Sequence, residues 1–423
     1  MAFVKLKYGK SELVFQYDAT RFDVLGEGGN FLPLSDVQIN QHFDNPFFSS
    51  PIEDLIRSDE SVLIVVPDAT RKAACGQVLN LLIRRLIVSG VKPHKVGIIF
   101  ATGIHRPVTE DEKKRILTPF IYQRIKHFDH SAKDFLKLAG IGSSFAHYGY
   151  TSNGIRIELN KLLLEYDHIV LIGGVTFHYF AGFTGGRKLV CPGLASEHTI
   201  SETHKLAFDF EKKTRRQGVG IGLLKGNLVH ETFVEIAGKV KPTFSVNTIA
   251  NERDEAVSVF CGDWKLAHEK ACSFYLENHS LKISEKRDCV VVSCGGFPFD
   301  LNLIQAHKAL ESASYACKEG GMIIFIAECA DGLGREDFLK WFEVKDSEEL
   351  AERLCQNYEV NGQTAWSLLK KAENFNIKIL TNLNEEACLK MRMEKIDDLN
   401  RFLPNGTHGY ILPYGAKFLT FMT

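Results

Sequence analysis

Three short runs place cations and imidazoles where they could act on an anion or move a proton. Asp68-Ala69-Thr70-Arg71 follows directly on the apolar run Val62 to Val66 and Pro67. Arginine offers a forked donor array, and a loop between strand and helix exposes backbone N–H groups. The run therefore reads either as an anion-binding turn or as an Asx-type cap with a solvated arginine. Gly103-Ile104-His105-Arg106 likewise follows an apolar run, Val96 to Phe100. His105 is either an acid or base beside an arginine clamp or a plain loop histidine. The third run extends from His178 to Gly193, where Gly182, Gly185 and Gly186 precede Arg187 and Lys188. Such glycines let a backbone turn tightly and approach a ligand. Because Leu189 follows Lys188, the phosphate loop of nucleotide hydrolases is excluded, and no GxGxxG fingerprint is present here. A phosphate-binding or covalent role for Lys188 stands beside a purely structural glycine turn.

Two further sets complete the inventory. His198 and His204 lie six residues apart in a stretch that reads as a helix over 197–215. At about 3.6 residues per turn they fall on different faces and cannot act as a paired metal-binding motif. Gln305 and Lys308, at helical i, i+3 spacing, share a face and suit a carboxylate, or else are solvated.

The elements that must position these groups follow from hydrophobic patterning. Short β-branched runs at 62–66, 96–100, 168–172, 289–293 and 322–327 alternate with longer amphipathic stretches such as Gln77 to Ser89. Parallel strands need helical crossovers, so the class is α/β. Thr109 with Glu112 reads as a capping box that opens a helix, and Gly90 as the stop of the preceding one. A length of 423 residues implies more than one core. The expected architecture is two α/β domains with largely parallel sheets and an active-site cleft between them. The first is expected over residues 1–270, joined by an extended segment at 409–423 that returns to its sheet, and the second over 282–408. Open parallel sheets bind ligands beyond the carboxyl ends of their strands, where all three runs fall.

Composition narrows the function classes. With 51 Lys and Arg against 52 Asp and Glu, the formal net charge is -1, which argues against a broad nucleic-acid or anionic-lipid surface. Apolar stretches are far short of a membrane span, and the start of the chain lacks the apolar block of a signal peptide, so a cytoplasmic location is expected. The ten cysteines include no CxxC pair and are read as reduced, buried thiols.

Taken together, DATR at 68–71, GIHR at 103–106, HYFAGFTGGRKLVCPG at 178–193, His204 and GGFPFDLNLIQAHKA at 295–309 resemble the nickel-dependent lactate racemase family. The resemblance implies a racemase or epimerase of a 2-hydroxy acid that works by reversible hydride transfer through a 2-keto intermediate. Its cofactor would be a nickel pincer nucleotide, the pyridinium-3-thioamide-5-thiocarboxylic acid mononucleotide carrying nickel. By position, Lys188 would be the covalent tether, His204 the nickel ligand, and His105 and His178 the acid–base pair. Asp68, Thr70, Arg71, Gly185 and Gly186 would lie on the cofactor, with Arg71 also beside the substrate, while Gln305 and Lys308 would hold the substrate carboxylate. Partners would be the small 2-hydroxy acid and the cofactor-synthesis proteins. The residue before Gln305 is Ile304, where lactate-specific members carry a tyrosine, which points to a substrate other than lactate. A sugar-acid epimerase of the same chemistry and a non-catalytic cofactor carrier are the competing readings. Two proton-moving histidines favour an enzyme over a carrier.

Overall fold

The computed structural model describes residues 1–26, 32–403 and 406–422. Its backbone separates into two compact units, residues 31–207 with 218–276, and residues 1–30 with 208–217 and 277–423. This division differs from the expected 1–270 and 282–408 in giving the second unit both the start of the chain and a ten-residue excursion.

The first of these bodies is built on a six-stranded sheet. Its order is Ala256–Gly262, Phe244–Ala250, His168–Gly174, Val62–Pro67, Val96–Ala101 and Lys126–Asp129. All neighbours run parallel except the edge pair formed by Ala256–Gly262 and Phe244–Ala250. Val62–Pro67 is buried at every position, which is why it reads as an unbroken apolar run rather than an alternating one. Helix Cys75–Val88 covers one face with Val78, Leu79, Leu82 and Leu86. The capping box forms as expected: the Glu112 N–H donates to Thr109 Oγ1 at 3.3 Å, and the Thr109 N–H donates to Glu112 Oε2 at 2.9 Å. Such a cap is worth about 1 kcal/mol.

The other body carries a second, fully parallel six-stranded sheet. Its order is Glu394–Ile396, Asn376–Leu380, Cys317–Ile326, Arg287–Ser293, Gly409–Leu412 and Phe22–Val24. The C-terminal segment therefore does not return to the first sheet. Gly409–Leu412 enters the second sheet instead, where a Cβ at Gly409 would sit 2.3 Å from the Phe22 ring and 2.5 Å from the Cys289 carbonyl oxygen. Leu419–Met422 pairs in parallel with Ser280–Ile283.

The helix expected over 197–215 is also shorter, spanning Glu197–Lys205. Beyond it the chain turns back as a hairpin, with Phe208 opposite Arg215 and Asp209 opposite Thr214. Burial stops the helix: Phe208 leaves the axis to pack edge-on against Trp366 in the second unit's core, with ring centroids 5.1 Å apart. All ten cysteines are free, and nine are buried. No helix among the described residues is long and apolar enough to cross a membrane.

Candidate functional site

Val62–Pro67 and Val96–Ala101 are adjacent, with Pro67 opposite Ala101, so the loops leaving them meet. Asp68 Oδ2 lies 2.7 Å from His105 Nδ1. The other carboxylate oxygen, Oδ1, accepts from the Thr70 N–H at 2.8 Å and from the Thr70 hydroxyl. Burial by itself would raise the Asp68 carboxyl. His105, through charge and hydrogen bond, together with Arg71 and the Thr70 hydroxyl, outweighs it and holds the group well below the usual carboxylate range. An ionised carboxylate at Nδ1 keeps the ring proton there and leaves the Nε2 lone pair on the far side of the ring. The His105 side chain retains 35% exposure. Arg106 is not an anion clamp beside it: both its terminal nitrogens pair with Glu112, at 2.8 and 2.6 Å, the carboxylate that closes the capping box.

The glycine-rich run continues from His168–Gly174 as a tight loop. Gly185 and Gly186 are both buried at positive φ, +75° and +49°, and a Cβ on Gly186 would sit 2.5 Å from the His268 ring. Gly186 thus lets the loop lie against His268, while Gly185 lets it approach the Gly174 carbonyl, 3.0 Å from where a Cβ would sit. Arg187 does not emerge with Lys188 as an exposed cation. It is 1% exposed, donating from NH2 to the Ala181 carbonyl at 2.7 Å and lying 3.1 Å from His268 Nε2 through NH1. Burial pushes its guanidinium down to about 10. Lys188 turns the other way, its ammonium 5.7 Å from the centre of the Phe180 ring.

Phe180 also meets two imidazoles. His178 packs edge-on to it at 4.5 Å and stacks on Tyr179 at 5.3 Å, and its Nδ1 accepts from the Ala181 N–H at 3.3 Å. His204 reaches Phe180 from the last turn of Glu197–Lys205, with centroids 5.0 Å apart. Its Nδ1 lies 2.7 Å from the Ile200 carbonyl one turn back, so it carries the proton and leaves Nε2 as the lone-pair nitrogen. Burial first, then the Lys188 ammonium, pushes His204 down to about 3, so the ring is neutral. His198, on a different face of the helix, is exposed.

In the second unit, Gln305 and Lys308 meet as their spacing requires, Lys308 Nζ donating to Gln305 Oε1 at 2.6 Å. Ile304 is partly buried against that unit's core. Beneath lies a charge cluster that no motif announced. The fully buried Glu311 accepts from Arg215 and lies 2.6 Å from Lys371 Nζ.

The structure thus gathers Asp68, Thr70 and His105 in one bonded set and Lys188, His178 and His204 around Phe180. It keeps Arg71 in the turn, its N–H donating to the Asp68 carbonyl at 3.2 Å. The Asp68–His105 pair was missed from sequence, although the signal existed: each residue follows one of two neighbouring strands by one and four positions. The burial of Arg187 left no such signal.

Residues 8–216 match the lactate racemase N-terminal domain, and residues 283–407 match the lactate racemase C-terminal domain. The chain is 31% identical over 359 residues to the lactate racemase of Thermoanaerobacterium thermosaccharolyticum, covering 84% of this chain and 81% of that protein. It is 31% identical over 343 residues to that of Lactiplantibacillus plantarum, covering 80% and 77%. The solved lactate racemase apoprotein from Thermoanaerobacterium thermosaccharolyticum superposes with a TM-score of 0.86 at 27% identity, covering 99% of this chain and all, 100%, of that one. A Thermotoga maritima protein shares the fold at a TM-score of 0.70 and 20% identity, covering 92% and 99%. An α/β chain with two such domains and relatives that are isomerases, this protein belongs to the lactate racemase family.

Proposed function

We propose that this chain is a nickel-dependent racemase of a 2-hydroxy acid, with Lys188 as the tether of a nickel pincer nucleotide and His204 as the protein's nickel ligand. One observation carries the reading: His204 is a buried, neutral imidazole with Nδ1 committed to Ile200 and Nε2 left as donor, and it shares the Phe180 ring with the Lys188 ammonium. Nickel accepts imidazole ligands. Among the described residues no three His, Cys, Asp or Glu side chains converge as a metal cage. A metal held by one histidine fits that donor set, the remaining ligands coming from the tethered group.

When bound, the cofactor supplies an acceptor for the C2 hydride, so that C2 becomes planar and can be reduced again from either side. The chain's own residues do the rest. His105 and His178 address the C2 hydroxyl. Asp68 orients His105, and Arg71 lies in the same turn beside the site. Gln305 and Lys308, already hydrogen bonded to one another, present an amide and an ammonium to the carboxylate. Ile304 supports a substrate other than lactate, because its partly buried side chain offers an apolar surface and no hydroxyl.

The test is intact mass and metal content of the chain co-produced with cofactor-synthesis enzymes. The wild type should carry an added mass and nickel. Lys188→Ala should lose the added mass, and His204→Ala should keep it and lose nickel. An adduct persisting in Lys188→Ala would sink the assignment.

A further inference from the structure

The strands Arg287–Ser293, Cys317–Ile326 and Asn376–Leu380 are neighbours in the second sheet, and the loops leaving them carry Asp300, Glu328 and Asn382. The tip of the hairpin between Ala2–Tyr8 and Ser11–Tyr17 packs on the same loops. Gly9, at a φ of +56°, donates its N–H to Asp300 Oδ2 at 2.7 Å, and a Cβ there would collide with the Glu328 carboxylate. Tyr8 donates its hydroxyl to Asn382 Oδ1 at 2.9 Å, and the Asn382 N–H donates to the Glu328 carbonyl at 2.9 Å. One glycine therefore has a carboxylate at its N–H and another at its Cα.

The two oxygens of Asp300, a residue only 1% exposed, are used unequally. Oδ2 accepts from the N–H groups of Gly9 and Glu328, at 2.7 and 3.3 Å, whereas the buried Oδ1 has no hydrogen-bond partner among the described residues. An asparagine would serve both N–H groups with no charge to bury, so those bonds alone do not call for a carboxylate. Of the lysines flanking Tyr8 and Gly9, Lys7 pairs with Glu12, and Lys10 holds its ammonium 5.5 Å from the centre of the Phe297 ring.

We propose that Asp300 and Glu328 hold a hard divalent cation, magnesium or calcium, with Asp300 Oδ1 as its buried ligand. No three His, Cys, Asp or Glu side chains converge among the described residues, so the site offers no cage for a transition metal. Two carboxylates, completed by neutral oxygens such as those of Tyr8 and Asn382 and by water, suit the hard cations. The local field is negative: burial, then Glu328, Cys329 and Asp300, pushes the Tyr8 phenol up to about 12. The ion would neutralise both carboxylates and tie the hairpin tip to the loop that runs on into Leu303–Ala306, the helix of Gln305. The site stands apart from the racemase reading and would exist without the nucleotide.

The full chain, freed of metal by chelation and dialysis, should bind one magnesium or calcium ion by calorimetry, with a Kd between about 10 μM and 1 mM. At a hundredfold excess over that Kd the thermal midpoint should rise by about 2–5 °C. Asp300→Asn keeps an acceptor for the two N–H groups, and Glu328→Gln alters a half-buried position without changing its size. Each should weaken binding at least about tenfold and abolish the rise. In chelator, Asp300→Asn should melt no lower than wild type, because it removes an uncompensated buried charge. His204→Ala should bind the ion as wild type does, which separates this site from the nickel ligand proposed above. Four results would each overturn the proposal: no binding of either ion to wild type, binding that survives both substitutions, binding lost in His204→Ala, or an Asp300→Asn chain that melts well below wild type in chelator. The last is the outcome if a water molecule alone satisfies Oδ1.

Discussion

Polar groups beside the two sheets are used on different principles. At the first sheet, polarity is spent on direction: Asp68, Ile200 and Ala181 each fix one imidazole by a single hydrogen bond at Nδ1. At the second, polarity is spent on charge. Glu311 is enclosed by Arg215 and Lys371, Lys371 also donates to Ser367 Oγ at 3.0 Å, and Lys308 lies one helical turn before Glu311. The buried His307 beside them is pushed down to about 3 by desolvation and then by Lys371 and Lys308. On the function proposed above, the contrast would be a division of labour: proton transfer needs one nitrogen facing one atom, whereas holding a carboxylate needs a favourable field and a donor pair that can adjust.

The largest expected effect tests the directional edge. Asp68→Asn should keep the fold but free the His105 tautomer, lowering kcat by about a hundred- to ten-thousandfold, with substrate affinity by calorimetry little changed. A loss confined to affinity would show that Asp68 acts on binding rather than on His105.

The charged edge breaks differently. Glu311→Ala strands the buried Lys371 and the partly buried Arg215 and should cost about 3–5 kcal/mol in urea unfolding. Replacing Glu311, Arg215 and Lys371 together by Met should restore most of that. If the single variant unfolds like wild type, the cluster is not holding the hairpin and helix together.

Acid should act on both edges in sequence. His204 and His307 are pushed down to about 3 and His130 to about 4, each chiefly by burial. Below about pH 6.5 the unfolded chain therefore binds protons that the folded chain refuses, and stability falls by about 1.4 kcal/mol per pH unit for each such imidazole. Asp68 and Glu311, held low in the folded state, contribute stability above about pH 4 that is lost only as pH falls further. Calorimetric unfolding from pH 7 to 4 should show the first loss, and His130→Asn should reduce its slope by about one proton. An unchanged slope would mean that His130 is protonated in the folded chain.

Lys308→Ala should raise KM about ten- to a hundredfold while kcat moves less, as expected for a charge-assisted bond to a carboxylate present throughout the reaction. A matching fall in kcat would place Lys308 at the reacting atoms and blur the contrast between the edges. The smallest effect is one of substrate choice. Ile304→Tyr should shift preference toward lactate, relative to a larger aliphatic 2-hydroxy acid, by about tenfold in chiral chromatography assays. Lactate as the best substrate of the unchanged chain would refute the reading of Ile304.

Sequence by itself determined the parallel strands and the capping box, because unbroken apolar runs and a Thr-x-x-Glu spacing are local signals that survive in almost any surroundings. It also put His105 and Lys188 in loops after strands, and Gln305 and Lys308 on one helical face. Tertiary structure decided what each polar group faces. Only strand adjacency brings Asp68 to His105, and only packing on His268 turns Arg187 inward while Lys188 lies over the Phe180 ring. The helix after His204 ends at Lys205 because Phe208 finds a buried partner in Trp366, and Gly409–Leu412 joins the second sheet where Gly409 fits against Phe22. Periodicity records which face of an element is apolar. It holds no record of the partner at a ring nitrogen, since that partner comes from residues distant along the chain or from a backbone group whose direction is set only when the loop closes.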